Sequence, residues 1–192
     1  MATNILPHYN TPYLFDKVIE EVAQSLKTNL PWLDVAYGRC ERLVKTIDGR
    51  RYYTPNVYLG RGEYDSLLPD DRRGCYSFFV MAEPQQVKQQ VQTEVRIKSP
   101  FSLIVWADMR RVDSVMNFPD ERNTEYLKEA ILSVLNTTRT RRGSFNVISI
   151  YERAENVFQG FTLDEVDNQF LMAPFAGFRF TGEMIVTNDC NM

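Results

Sequence analysis

The first third of the chain changes from a helical spacing of apolar residues to a spacing suited to strands. Within residues 12–27, apolar side chains recur every three or four positions, which places them on one stripe of an amphipathic helix. Thr11 and Pro12 suit the start of this helix, because a hydroxyl can cap it and proline fits its first turn. We therefore predict a helix over residues 12–27, with residues 1–11 as an N-terminal arm.

Two strand-like segments follow, over residues 35–47 and 51–58, with Asp48-Gly49 between them. This dipeptide is typical of a tight hairpin turn, because both of its residues readily adopt a positive φ. Residues 60–74 are polar and rich in glycine, which is typical of a loop. We expect the hairpin and this loop to project beyond the body of the protein.

Most of the strand signals lie in the remainder of the chain. Residues 101–106 are apolar at nearly every position, so a strand here would be buried on both faces and central in its sheet. The glutamine-rich residues 83–92 indicate a loop or a short exposed helix. A second amphipathic helix begins near Pro119, and its apolar stripe spans residues 127–135. The predicted strands cover residues 76–81, 93–108, 145–151 and 177–187, and a short helix is predicted near residues 163–166.

This order of elements predicts one α+β domain over residues 1–192. Its sheet is mixed and mostly antiparallel, two amphipathic helices pack on it, and a β-hairpin projects from it. The composition, 44% hydrophobic and 24% charged, is that of a soluble globular protein. No segment approaches about eighteen consecutive apolar residues, so no membrane span is expected. The formal charge of −3 argues against a general nucleic-acid coat, although local basic clusters stay open.

Candidate catalytic chemistry is sparse in this sequence. His8 is the only histidine, and Cys40, Cys75 and Cys190 are far apart, without the spacing of a redox or zinc motif. We interpret the cysteines as structural thiols. We expect no catalytic residues, no metal and no cofactor, and therefore a protein that is not an enzyme.

One enzymatic alternative stays open on the acidic residues. Asp70, followed later by Glu94 and Arg96, resembles the carboxylate pattern of a divalent-metal nuclease. Such a core has a lysine two residues after its second acid, whereas arginine stands here and does not release its proton near neutral pH. A metal-dependent nuclease is thus the alternative hypothesis, beside a small accessory protein-binding module.

Arginine and tyrosine side chains supply the candidate contact residues. Arg139, Arg141 and Arg142 follow the second predicted helix, where they could bind phosphates or an acidic partner. Cations at this position also stabilise the carbonyl end of a helix, so the structural interpretation stays open. Tyrosine and arginine are enriched in protein interfaces, because their apolar parts desolvate readily while their polar tips find partners.

Three stretches together resemble a known family. The first is the helix over residues 12–27 with its following hairpin, and the second is the strand over residues 101–108 that leads to the helix near residues 125–135. The third is residues 156–163, followed by the Pro-Phe-Ala-Gly-Phe-Arg-Phe turn and strand within residues 170–180. This pattern resembles the tail-terminator and tail-completion proteins of tailed-bacteriophage necks. The segments 60–74 and 83–92 have no counterpart in it.

The resemblance implies a structural virion protein rather than an enzyme. It implies a homo-oligomeric ring at the head-tail junction that connects the portal to the tail, assembles in the bacterial host cytoplasm, and contacts other portal, neck or tail proteins. Contact with DNA in the channel is compatible with it, and a membrane is not involved. A ring needs a heterologous interface whose rotation closes. The candidate interface residues are Asp48, Gly49, Arg61, Tyr64, Arg139, Arg141, Arg142 and Phe175.

Overall fold

The structure, a computed structural model, describes residues 12–70, 72–91, 94–116, 124–141 and 143–189. The N-terminal arm, the expected start of the second helix at Pro119, and His8, Arg142 and Cys190 lie outside these residues. The helices are α1 (Phe15–Asn29), α2 (Met109–Met116), α3 (Thr124–Thr137), α4 (Ala154–Val157) and α5 (Glu165–Gln169). The strands are β1 (Val35–Arg39), β2 (Glu41–Ile47), β3 (Arg50–Gly60), β4 (Glu63–Ser66), β5 (Tyr76–Met81), β6 (Gln86–Val91), β7 (Glu94–Asp108), β8 (Gly143–Tyr151) and β9 (Phe175–Asp189).

Six strands form the main sheet, in the order β1-β5-β7-β9-β8, with β6 also paired to β7. Strands β7 and β9 are antiparallel along their whole length, from Glu94 opposite Asp189 to Asp108 opposite Phe175. Only β1 and β5 are parallel among the described pairs. The predicted α+β class, with a mixed and mostly antiparallel sheet, is therefore confirmed, and so is the central position of β7.

Helices α1 and α3 cover one face of the main sheet. The buried residues of α1 are the predicted stripe: Phe15, Val18, Ile19, Val22, Ala23 and Leu26. They join alternate residues of β7 and β9 and the stripe of α3 in a single apolar cluster. Each large apolar side chain that is fully buried contributes about 1.5–3 kcal/mol relative to exposure, so this stripe explains why the helix forms here. The hydroxyls of Ser25 and Thr138 meet at 2.7 Å and join the ends of the two helices.

The predicted start of α1 at Pro12 is wrong. The helix begins at Phe15, and Leu14 precedes it with φ 47° and no side-chain capping bond. The first helical residue is thus set by the burial of Phe15 in the core rather than by a local cap. The packing of Phe15 in the core, a tertiary contact, therefore sets the start of the helix in place of a capping hydroxyl and a proline in the first turn.

The other face of the main sheet carries a second, aromatic cluster around Trp106. Its indole ring stacks on Phe175 with centroids 5.3 Å apart and lies 5.5 Å from the ring of Tyr76. The indole Nε1 donates a 2.6 Å hydrogen bond to the carbonyl oxygen of Phe170, so this buried polar atom has a partner. Strand β3 and the segment containing α4 and α5 cover the cluster from outside.

Three secondary-structure expectations are corrected. The predicted strand over residues 35–47 divides at Cys40, because β1 pairs with β5 while β2 pairs with β3 in a separate three-stranded sheet. The loop expected over residues 60–74 contains β4, which turns back on β3 through Arg61 and Gly62, both with positive φ. Residues 83–92, expected to be a loop or helix, contain strand β6, since pairing with β7 overrides their weak local preference.

Helix α2 was not predicted from the sequence. The residue in the sequence that could indicate the start of this helix is Asp108, because the backbone nitrogen of Arg110 donates to Asp108 Oδ1 at 3.1 Å. Burial acts to raise the pKa of Asp108, but hydrogen bonds and charge from Arg110 outweigh it, so the pKa is lowered and the carboxylate stays ionised. The buried acid that ends β7 therefore also begins the next helix.

A β-bulge in β8 brings backbone unusually close to Gly182. The register between β8 and β9 shifts between Val147 and Ser149. A Cβ atom on Gly182 would lie 1.9 Å from the carbonyl oxygen of Asn146 and 3.1 Å from the ring of Phe101. The first neighbour is backbone and cannot rotate away, so only glycine fits this position in the strand.

We expect Gly182→Ala to destabilise the fold. Overpacking against fixed backbone costs about 2 kcal/mol, which lowers the melting temperature by roughly 4–8 °C in a domain of this size. Ser144→Ala, at an exposed position of β8, is the matched control and should leave the melting temperature within about 1 °C. Calorimetry or circular dichroism melting measures both. Equal melting temperatures for the two variants would contradict the close packing of β8 on β9.

Candidate interaction surfaces

The hairpin formed by β2 and β3 projects from the protein. Its turn residues Asp48 and Gly49 have φ values of 50° and 76°, so the predicted tight turn is confirmed. The strands pair in register from Glu41 opposite Asn56 to Ile47 opposite Arg50. Along β2 every side chain is exposed except a half-buried Leu43. The exposure agrees with the predicted projection.

The end of this hairpin, residues 42–53, combines positive charge with exposed apolar side chains; we call it the hairpin tip. It has four cations and one acid, a net charge of +3: Arg42, Lys45, Asp48, Arg50 and Arg51. Val44 and Ile47 are 55% and 52% exposed. The guanidinium of Arg42 lies over the ring of Tyr53 on the neighbouring strand, 3.9 Å from the ring centre. No described carboxylate forms an ion pair with Lys45, Arg50 or Arg51.

The turn between β3 and β4 lies at the other end of the small sheet. Arg61 has φ 53°, and the exposed rings of Tyr58 and Tyr64 lie 5.1 Å apart. The eleven residues of β3 separate this turn from the hairpin turn, which corresponds to roughly 35 Å of extended strand. Asp48 and Gly49 are therefore on the same sheet as Arg61 and Tyr64, but the structure does not bring the two pairs together.

The small sheet is fixed to the body at several points. The guanidinium of Arg73 contacts both carboxylate oxygens of Asp65 at 2.7 and 3.0 Å. This hydrogen bond raises the pKa of Arg73. At the base of the hairpin, Thr162 donates its N–H to the carbonyl of Tyr53 at 2.8 Å and accepts the N–H of Tyr53 at 3.1 Å through Oγ1. Backbone and charge contacts thus hold the sheet that presents the hairpin tip.

The basic loop after α3 lies elsewhere, against the polar side of α1. Arg139 Nη1 donates to the carbonyl of Asn136 at 3.0 Å, which is the helix-capping role that the sequence left open. The backbone nitrogen of Arg141 donates to Glu21 Oε2 at 2.8 Å. Both arginine side chains are exposed at the surface. Arg142 lies outside the described residues.

Phe175, a predicted contact residue, is partly buried and packs against the aromatic cluster. Its ring stacks on Trp106 and meets the ring of Phe170 edge-on at 5.1 Å. The guanidinium of Arg110 lies over the Phe175 ring, 5.1 Å from its centroid. These internal contacts show that Phe175 stabilises the aromatic cluster, and its role in an interface stays a prediction.

Asp70 and Glu94, the acidic residues of the nuclease alternative, lie near opposite ends of the main sheet. Asp70 precedes β5, forms an ion pair with Arg72 at 2.6 Å, and lies near the end of the main sheet where Tyr76 pairs with Trp106. Glu94 begins β7 at the other end, twelve residues before Trp106, which corresponds to roughly 40 Å of extended strand. Among the described residues, no group of three or more histidine, cysteine or acidic side chains could hold a metal ion.

An acidic surface was missed from the sequence. Residues 152–172, which we call the acidic segment, contain five acids and one base: Glu152, Arg153, Glu155, Asp164, Glu165 and Asp167. Its net charge is therefore −4. Asp164 and Asp167 form a reciprocal capping box at the start of α5, and Glu152 pairs with Lys128 at 2.7 Å. Val166 and Met172 are 58% and 65% exposed. The density of acids in this stretch is the signal that the sequence offers for it.

No protein-family model matches the chain, and a comparison with curated proteins finds no significant match. Within the described residues, no helix has the length and apolar character needed to cross a bilayer.

Two of the cysteines are buried thiols. Cys40 is 5% exposed and Cys75 is fully buried. Burial raises the pKa of each thiol to about 12. The Sγ of Cys75 lies 3.8 Å from the carbonyl oxygen of Asp108, and its backbone nitrogen donates to Asp34 at 2.8 Å. Both environments disfavour the reactive thiolate.

We expect Cys40 and Cys75 to resist alkylation by iodoacetamide at pH 8 in the native protein. A pKa of about 12, against an ordinary value of 9.0, lowers the thiolate fraction by about a thousandfold, and burial also blocks access. Peptide mapping by mass spectrometry measures each site separately. Both should alkylate fully in guanidinium, which is the control. Rapid native alkylation of either site would contradict its burial.

Proposed function

We propose that this chain is a structural virion protein that forms a homo-oligomeric ring at the neck of a tailed bacteriophage, connecting the portal to the tail. The observation that carries the proposal is the projecting hairpin tip, with its exposed Val44 and Ile47 and its unpaired cations. Isolated exposed apolar residues are ordinary on a monomer, but a projecting tip that joins them to concentrated charge favours a partner surface. The resemblance in element order supports the same assignment.

A ring needs two different surfaces on every copy. The hairpin tip can supply one, because it extends away from the body on a sheet that is fixed by Arg73 and Thr162. The open edge of the main sheet at β8 offers a further surface, since β9 is its single described partner strand and Ile148 and Tyr151 are 60% and 41% exposed. An exposed strand edge favours pairing or packing with another chain.

In this proposal the protein acts through shape and contact and carries out no chemical reaction. Its partners are copies of itself and the portal, neck or tail proteins on either side. It assembles in the bacterial host cytoplasm and resides in the neck or tail of the virion. The cations of the hairpin tip are also compatible with contact to DNA in the channel, because basic side chains bind phosphates without sequence preference.

We expect the purified protein to form closed rings whose mass is a whole-number multiple of 22.4 kDa. Light scattering after size exclusion measures the mass, and negative-stain electron microscopy measures closure. Mass spectrometry of purified phage particles tests the virion location and separates the proposal from an accessory binding module, which particles would lack. A chain that stays monomeric at all concentrations and is missing from particles would contradict the proposal.

A further inference from the structure

We infer that the hairpin tip of one copy docks on the acidic segment of the next copy. The inference rests on the proposed function and deepens it, because it names the two surfaces through which neighbouring copies join. On one face of the tip, Lys45 and Arg50 lie with the exposed Ile47, and on the other face Arg51 lies with the exposed Val44. The acidic segment supplies the exposed acids Glu155 and Glu165 and the exposed aliphatic residues Val166 and Met172.

The charges of the two surfaces are opposite and concentrated. The whole chain carries −3 and the hairpin tip carries +3, so the remainder carries −6. The acidic segment holds −4 of that within twenty-one residues. Neither Glu155 nor Glu165 forms an ion pair with a described residue. Two surfaces with unpaired charges of opposite sign attract and orient each other during encounter.

The exposed apolar residues favour a second copy over a nucleic acid as the occupant. On the hairpin tip they are Val44 and Ile47, and on the acidic segment they are Val166 and Met172. A phosphate backbone would neutralise the cations but would bury none of the aliphatic surface. Another copy of this chain offers both acids and exposed aliphatic side chains, and so matches both properties of the tip.

The geometry favours contact between copies over contact within one. Tyr53 and Thr162 are hydrogen-bonded, so the base of the hairpin lies beside the acidic segment of its own chain. From Tyr53 the strand runs away from this point for five residues to Asp48, roughly 17 Å. Because the paired hairpin is fixed at this base, residues 45–51 at its end form a surface separate from the acidic segment of the same copy, as a head-to-tail interface requires.

A charge-reversal series tests the interface. The tip variant is Lys45→Glu/Arg50→Glu/Arg51→Glu, and the segment variant is Glu155→Lys/Glu165→Lys. These positions are exposed, so both variants should keep the native circular dichroism spectrum. Each variant alone should assemble at least about tenfold more weakly than the native chain, because a repulsive pair replaces an attractive one. Light scattering over a concentration series measures the assembly.

The decisive arm is an equimolar mixture of the two variants. In the mixture, the reversed tip of the tip variant can meet the reversed segment of the segment variant. The native tip of the segment variant can likewise meet the native segment of the tip variant. The mixture should therefore assemble where neither variant does alone. The control Lys17→Glu/Lys88→Glu changes charge away from both surfaces and should assemble as the native chain does. Restored assembly in the mixture has no explanation in misfolding of either variant.

Four results would overturn the inference. Rings that form equally well in the tip variant would reject this interface while leaving the ring proposal intact. An equimolar mixture that assembles as weakly as either variant alone would also reject this interface while leaving the ring proposal intact. Binding of native protein to a double-stranded DNA fragment that the tip variant loses, with its assembly unchanged, would assign the tip to DNA instead. A native chain that never assembles would reject both this interface and the proposed function.

Discussion

The full-length pairing of β7 with β9 is the interaction on which the rest of the structure depends. Both strands have fifteen residues, and they stay in register from end to end. Within β7, residues 101–108 are buried on both faces, so each face needs a separate covering layer. The helices α1 and α3 supply one layer. The aromatic cluster around Trp106, under the small sheet and the acidic segment, supplies the other.

That second layer explains why the hairpin projects. The chain leaves the main sheet at Cys40, whose buried thiol belongs to the aromatic cluster, and continues into the small sheet. The half of β3 that contains Thr54, Asn56 and Val57 is buried, whereas the half that contains Arg50 and Arg51 is exposed. One strand thus connects a core-facing base to a solvent-facing tip. The position of the tip is therefore fixed by the core and by the contacts of Arg73 and Thr162.

The sequence was informative where the signal is local or strongly periodic. The stripe of α1, the apolar run of β7 and the Asp48-Gly49 turn each follow from side-chain spacing or backbone preference alone. The division of residues 35–47 between two sheets could not be predicted, because it depends on which distant strand pairs with β1. Strand β6 depends in the same way on β7, since its glutamines have no strong strand preference.

The candidate surfaces show the same contrast. The sequence located Asp48 and Gly49 correctly at an exposed turn, because that prediction needs only local geometry. The packing of Phe175 on Trp106 could not be predicted, since the two residues are far apart in the chain. The charge of residues 152–172 is visible in the sequence, but its place in the fold depends on the Tyr53–Thr162 contact that fixes the base of the hairpin beside this segment.

The central claim is that copies of one rigid body join into a closed ring through the hairpin tip of one copy and the acidic segment of the next, and engineered disulfide formation tests it most directly. The protein would carry Ile47→Cys and Val166→Cys in a Cys190→Ser background, and would be oxidised after assembly. Non-reducing gel electrophoresis should show a ladder of covalent oligomers that ends at one largest species, the closed ring. An assembled protein that yields only monomers, while either single-cysteine control behaves identically, would contradict the claim.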